Sequence, residues 1–97
     1  METTLSSPIT LDVYVSAHCW QCPEAQRLAR EAQNEFAVLD VCVIDLDEPG
    51  AMKPGFVFAV PTLVLNGQVI SLGTPTRETL YRKIRQAIAM KEIANEP

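Results

Sequence analysis

Apolar positions come in blocks whose spacing changes along the chain, and each change predicts an element. Ile9 to Val15 is a β-branched and aromatic run, the pattern of a first strand. From Pro23 the spacing turns helical. Ala25, Leu28, Ala29, Ala32 and Phe36 recur along one stripe, with Glu24, Arg27, Arg30, Glu31 and Glu35 on the wet side. Pro23 suits a first helical turn, where its missing N–H is not needed. Val38 to Leu46 is almost wholly apolar, which predicts a central strand covered on both faces. A strand, a helix and a strand in that order predict a parallel β-α-β unit.

Asp47-Glu48-Pro49-Gly50 breaks the second strand, and the stretch to Gly55 is read as a short helix or an irregular turn. Thr62 to Leu65 and Gln68 to Leu72 then form two strands around Asn66-Gly67. Both central residues of a type I′ turn need positive φ, so this dipeptide is a strong hairpin signal. Gly73 ends the hairpin. A last helix begins near Thr74 to Thr76, with Pro75 suited to its first turn and either Thr able to cap it. Its buried stripe is Leu80, Ile84, Ala87, Ile88 and Ile93. The fold class is α/β: a mixed sheet of about four strands, β-α-β then β-β-α, flanked by helices.

At 97 residues the chain is one domain, long enough to bury a core without disulfide staples. Residues 1–8 read as a flexible lead, 9–93 as the domain and 94–97 as a tail. The net charge of -4 gives no global footprint for nucleic acid or an anionic membrane. Arg77, Arg82, Lys83, Arg85 and Lys91 cluster near the C-terminus, and we read them as a solvated helix face. The first residues lack a secretory pattern, and no apolar run reaches the ~20 residues of a membrane span. The expectation is a cytoplasmic monomer that takes neither nucleic acid nor membrane as a partner. Three cysteines in a reducing compartment point to chemistry rather than scaffolding.

That chemistry centres on Cys19-Trp20-Gln21-Cys22, between the first strand and the first helix. The thiolate is the reactive form of cysteine, and an ordinary thiol with pKa ~8.5 is mostly protonated at neutral pH. A helix N-terminus favours an anion, so Cys19 is the expected nucleophile. Cys22, one turn on and deeper, is the expected resolving thiol of a mixed disulfide. His18 either steadies the thiolate or is a plain surface-loop residue. Trp20, in an exposed turn, is read as a partner contact rather than domain packing. Gln21 shapes the turn. Cys42 is read as a small buried hydrophobe. Two other functions fit the same spacing: a redox-linked partner-binding module, or a copper or zinc carrier using the Cys-x-x-Cys. No second cysteine pair completes a zinc site, so no metal residues are assigned.

These motifs resemble the thioredoxin family over about Ile9 to Ile88. The likeness rests on the strand before Cys19-Trp20-Gln21-Cys22, on Asp45-Leu46-Asp47-Glu48-Pro49-Gly50, on Val60-Pro61-Thr62-Leu63-Val64-Leu65-Asn66-Gly67 and on Gly73. It implies a thioredoxin fold with a cis peptide at Pro61 beside the sulfurs. Val60, Pro61, Thr62 and Trp20 then bind substrate, the backbone of Val60 pairing with an extended segment. It implies an enzyme, a protein-disulfide oxidoreductase with no bound cofactor, whose redox group is the Cys19–Cys22 disulfide. A reductase, flavin-dependent, would restore the dithiol. The chain departs from the family in three ways. It lacks the first strand and helix of full-length thioredoxin, leaving a core of glutaredoxin size. His18-Cys19-Trp20-Gln21-Cys22 replaces Trp-Cys-Gly-Pro-Cys, and Pro23 is like that of some glutaredoxin-like reductases. Val13 stands where the family keeps a buried Asp, with Asp12 one residue off. The glutathione-gripping Gly-Gly-x-x-Asp is absent after Gly73, which disfavours glutathione as reductant.

Overall fold

The computed structural model describes residues 9–51, 55 and 59–94. The lead, the tail beyond Ala94 and most of the proposed 51–55 turn lie outside the described residues. The chain runs β1 (Ile9–Val15), α1 (Cys22–Glu35), β2 (Leu39–Asp45), β3 (Thr62–Leu65), β4 (Gln68–Leu72) and α2 (Arg77–Ala94). The four strands form one sheet in the order β2-β1-β3-β4. β1 pairs parallel with β2 and antiparallel with β3, and β3 pairs antiparallel with β4. The sheet is therefore mixed, as the element order predicts.

Alternation along β1 decides what faces what. Ile9, Leu11, Val13 and Val15 join Leu39, Leu63 and Leu65 in a core against Cys22, Ala25, Leu28, Ala29 and Ala32 of α1 and Leu80 and Ile84 of α2. The helical stripe read from the sequence is thus the buried face of α1, with Phe36 half-buried at its end. Each fully buried aliphatic side chain contributes about 1.5–3 kcal/mol. On the other face of the sheet, Tyr14 and Val64 make a smaller cluster with Ile44 and Leu46.

The two helices are also tied directly. Arg77 grips Glu31 through both carboxylate oxygens, at 2.6 and 2.8 Å. Phe36 meets Tyr81 edge-on, ring centroids 5.1 Å apart. Thr76 starts α2, its Oγ1 accepting the Thr79 N–H at 3.1 Å. Leu80 and Ile84 are fully buried, Ala87 and Ile88 half-buried; the Ile93 side chain lies outside the described residues. At the hairpin, Asn66 and Gly67 take φ of 49° and 85°, as the turn type demands.

One strand is not where its composition places it. Among the described residues β2 is an edge strand, not a central one. Its core-side residues are Leu39, Val41 and Val43, while Asp40, Cys42 and Asp45 are exposed. The apolar run continues because Ile44 half-packs on the second face beside the buried Tyr14 and Val64, while Asp40 and Cys42 on that same face are exposed. Cys42 is correspondingly an exposed free thiol rather than a buried hydrophobe. Among the described residues no helix is long and apolar enough to cross a membrane.

Candidate active site

Cys19 and Cys22 are joined by a disulfide, their Cα atoms 5.4 Å apart. Cys22 is the first residue of α1, and Pro23 occupies its first turn. The expectation put Cys19 at the helix start; it sits in the turn just before, with its N–H on Ser16 O and its C=O receiving the Cys22 N–H, both at 3.3 Å. The chain reverses tightly here because strand and helix must lie on one another with few residues between. Cys22 is 2% exposed and belongs to the core, whereas Cys19 is half-buried and packs at its margin. The two cysteines of one bond therefore differ in access to solvent. Trp20, between them in sequence, is 85% exposed and does not pack on the domain. His18 and Pro23 are exposed, and Gln21 is half-buried.

The Val60–Pro61 peptide is cis. Pro61 and Thr62 are buried, Val60 half-buried against the core, and the Thr62 hydroxyl donates to Ala59 O. A third segment joins this corner to the cysteine turn. Gly73 N–H donates to Pro61 O at 2.7 Å, and the next residue, Thr74, donates its hydroxyl to Gln21 O at 3.4 Å. Gly73 holds φ at 104°, a conformation that side-chain-bearing residues rarely adopt. Residues 73–74 thus strap the Pro61 corner to the Cys-x-x-Cys turn.

A fourth segment fixes the approach to Cys19. Leu46 N–H donates to Val15 O at 2.9 Å, carrying the end of β2 along β1. The Asp47 carboxylate then accepts the Ala17 N–H at 2.5 Å, and Asp47 N–H is itself held by the Asp45 carboxylate at 2.9 Å. The sequence marks Asp47 only as part of a strand-ending stretch and Thr74 only as a possible helix cap, and assigns neither a part in the site. The signal for Asp47 was present: an Asp-x-Asp at a strand end favours local side-chain to backbone bonds.

Beneath the site, Val13 is fully buried on the helix side of β1. Asp12 lies on the other face, beside Cys42 in the ladder. Partial burial, then the nearby Asp40 charge, raise its pKa above the ordinary carboxylate value. Among the described residues no group of three or more His, Cys, Asp or Glu side chains is placed to hold a metal ion.

Comparison with known proteins gives this geometry a family. Residues 9–85 match the family model described as a thioredoxin domain. The chain is 35% identical over 85 residues to a thioredoxin of Methanocaldococcus jannaschii, covering 84% of this chain and 99% of that one. It is 37% identical over 79 residues to a probable thioredoxin of Methanothermobacter thermautotrophicus, covering 78% and 92%. Among solved structures, the malaria parasite's thioredoxin-2, described as a component of its protein secretion machinery, superposes with a TM-score of 0.70 over 88% of each chain. At 15% identity that likeness speaks for the fold alone. The sheet order, the Cys19–Cys22 disulfide at the head of α1 and these matches agree: the chain belongs to the thioredoxin family and is a thiol–disulfide oxidoreductase whose redox group is that disulfide.

Proposed function

We propose that this protein reduces disulfides in other proteins, with Cys19 as attacking thiol and Cys22 as resolving thiol. Family membership implies disulfide substrates and a thioredoxin reductase as the electron source. The unequal burial of the two cysteine residues carries the assignment of roles. In the reduced enzyme the Cys19 thiolate attacks one sulfur of a substrate disulfide, and the other leaves as a thiolate. Cys22 then attacks the Cys19 sulfur, freeing the second substrate thiol and closing the Cys19–Cys22 disulfide. Two electrons pass to the substrate, and its two sulfurs each gain a proton.

Position favours Cys19 at the first step, since a thiolate just before a helix N-terminus is stabilised by its dipole and unpaired N–H groups. Burial suits Cys22 to the second, because a docked substrate reaches Cys19 first. Trp20 offers the docked protein a rigid apolar face, and the Val60 backbone beside Pro61 offers a strand edge. His18, Gln21, Pro23 and Thr62 shape the turn and corner rather than react. Val13 puts no carboxylate under the pair, so the Cys22 proton leaves through water. The donor is a flavin-dependent reductase, since the glutathione-gripping segment is absent. The setting is cytoplasmic, which fits a single reactive dithiol in a chain with few cysteines.

Insulin reduction with dithiothreitol tests the proposal. The wild-type protein should accelerate precipitation of the insulin B chain, and Cys19→Ser should abolish the acceleration. Equal turnover by Cys19→Ser would remove Cys19 from the nucleophile's role.

A further inference from the structure

β2 is an edge strand, and among the described residues no strand pairs with its outer side. Which of its backbone groups face outward follows from the ladder. Val38 O accepts from Ile9 N–H, and Leu46 N–H donates to Val15 O. In a parallel pair, alternate residues of one strand direct both groups to a given neighbour. The even-numbered residues of β2 therefore face β1, and Leu39, Val41, Val43 and Asp45 face out.

Two of those outward groups are already used. Leu39 N–H donates to Phe36 O, and Asp45 O accepts from Glu48 N–H. What remains is Leu39 C=O, both groups of Val41, both groups of Val43, and Asp45 N–H. This set is complementary to itself. In an antiparallel pairing centred on Cys42, Val41 of one copy meets Val43 of the other and exchanges both bonds. Leu39 C=O meets Asp45 N–H, and the two groups that this last pair leaves unused are the two already bonded within each chain.

We propose that the outer edge of β2 is the docking surface for a second copy of this chain, joined antiparallel about a two-fold axis at Cys42. Charge agrees with the register: Asp40 falls opposite Ile44 and Asp45 opposite Leu39, so no carboxylate faces another across the strands. The pairing runs the two strands in opposite directions, so the Cys19–Cys22 turns lie at opposite ends and both stay open. It continues the sheet from one copy into the next. It also replaces the monomer expected from the sequence with a symmetric pair.

Cys42 makes the register measurable. It is exposed, and in this pairing it lies opposite itself at a position without cross-strand hydrogen bonds. Such residues have Cα atoms about 4.5 Å apart, inside the roughly 4.4–6.8 Å range of disulfides. Oxidised glutathione supplies the oxidant. One Cys42 thiolate attacks it and releases one glutathione thiolate; the second copy's Cys42 then attacks that mixed disulfide, releasing the other.

The experiment compares crosslinking rates under oxidised glutathione, read by intact mass with Cys19–Cys22 left oxidised. The wild-type protein should form its Cys42–Cys42 dimer at least tenfold faster than either C42S/D40C or C42S/I44C alone forms dimers. Mixing those two variants should restore fast crosslinking, as the mixed dimer, since positions 40 and 44 face each other. Val43→Pro removes an outward N–H and leaves the β1 ladder intact, so it should slow Cys42 crosslinking about tenfold while insulin reduction persists. Equal rates for all cysteine positions, or glutathione adducts without dimers, would overturn the proposal; this holds whether or not the Val43→Pro chain folds.

Discussion

Gly73→Ala tests how the site is held together. Gly73 has φ of 104°, and its N–H donates to Pro61 O at 2.7 Å. A Cβ added there meets its nearest atom, Gln21 Oε1, at 3.8 Å, which is ordinary contact. Crowding therefore contributes nothing, and the penalty is conformational. Holding alanine at such a φ costs about 1–3 kcal/mol. The chain can escape by rotating the peptide, but then Pro61 O loses its donor, worth about 0.5–1.5 kcal/mol. The Thr74 hydroxyl, already 3.4 Å from Gln21 O, moves with it. We expect a loss of about 1–3 kcal/mol, seen as a lower urea midpoint at unchanged m-value. The melting temperature should fall by about 5–20 °C. Gly67→Ala is the control: its φ is 85°, it also has open space around it, and it lies at the hairpin tip. Both variants should lose stability, but only Gly73→Ala should slow insulin reduction per folded molecule. Stability of Gly73→Ala within about 0.5 kcal/mol of wild type would refute the reasoning, being no more than an ordinary surface change.

Other substitutions probe separate layers. Asp47→Ala frees the Ala17 N–H in front of Cys19; the group is exposed, so we expect about 1 kcal/mol of lost stability and a clear fall in insulin turnover. Leu63→Ala, at a fully buried position of β3, should cost about 2–5 kcal/mol by urea unfolding. Asp12→Asn concerns the far face. Because the folded chain raises the Asp12 pKa, its ionisation works against folding, and stability is lost as pH rises through the folded value. Thermal melts should find Asp12→Asn more stable than wild type at neutral pH, the gap closing on acidification below the unfolded carboxylate pKa. Its insulin turnover should be unchanged.

The parts of the fold legible in the sequence are those set by local periodicity. The α1 stripe, the Asn66-Gly67 turn and the Cys-x-x-Cys junction each follow from residues within a turn or two of one another. The position of β2 does not, because strand order depends on partners far along the chain. An apolar run such as Leu39 to Leu46 is the same whether a strand is central or, as here, an edge with Ile44 leaning on Tyr14. Cys42 inherits that ambiguity: a strand thiol is buried or exposed according to the face and the neighbour it receives. The strap through Gly73 and Thr74 was half legible. A glycine after a hairpin marks a conformational need, but its bond to Pro61 and Thr74's bond to Gln21 join segments that sequence spacing does not relate.

The assignment of Cys19 as the atom that meets substrate is tested most directly by trapping. Cys22→Ser leaves a mixed disulfide unresolved, so the reduced variant mixed with insulin should yield one covalent adduct, located by peptide mass spectrometry at Cys19. No adduct at Cys19, or an adduct only at the exposed Cys42, would contradict it.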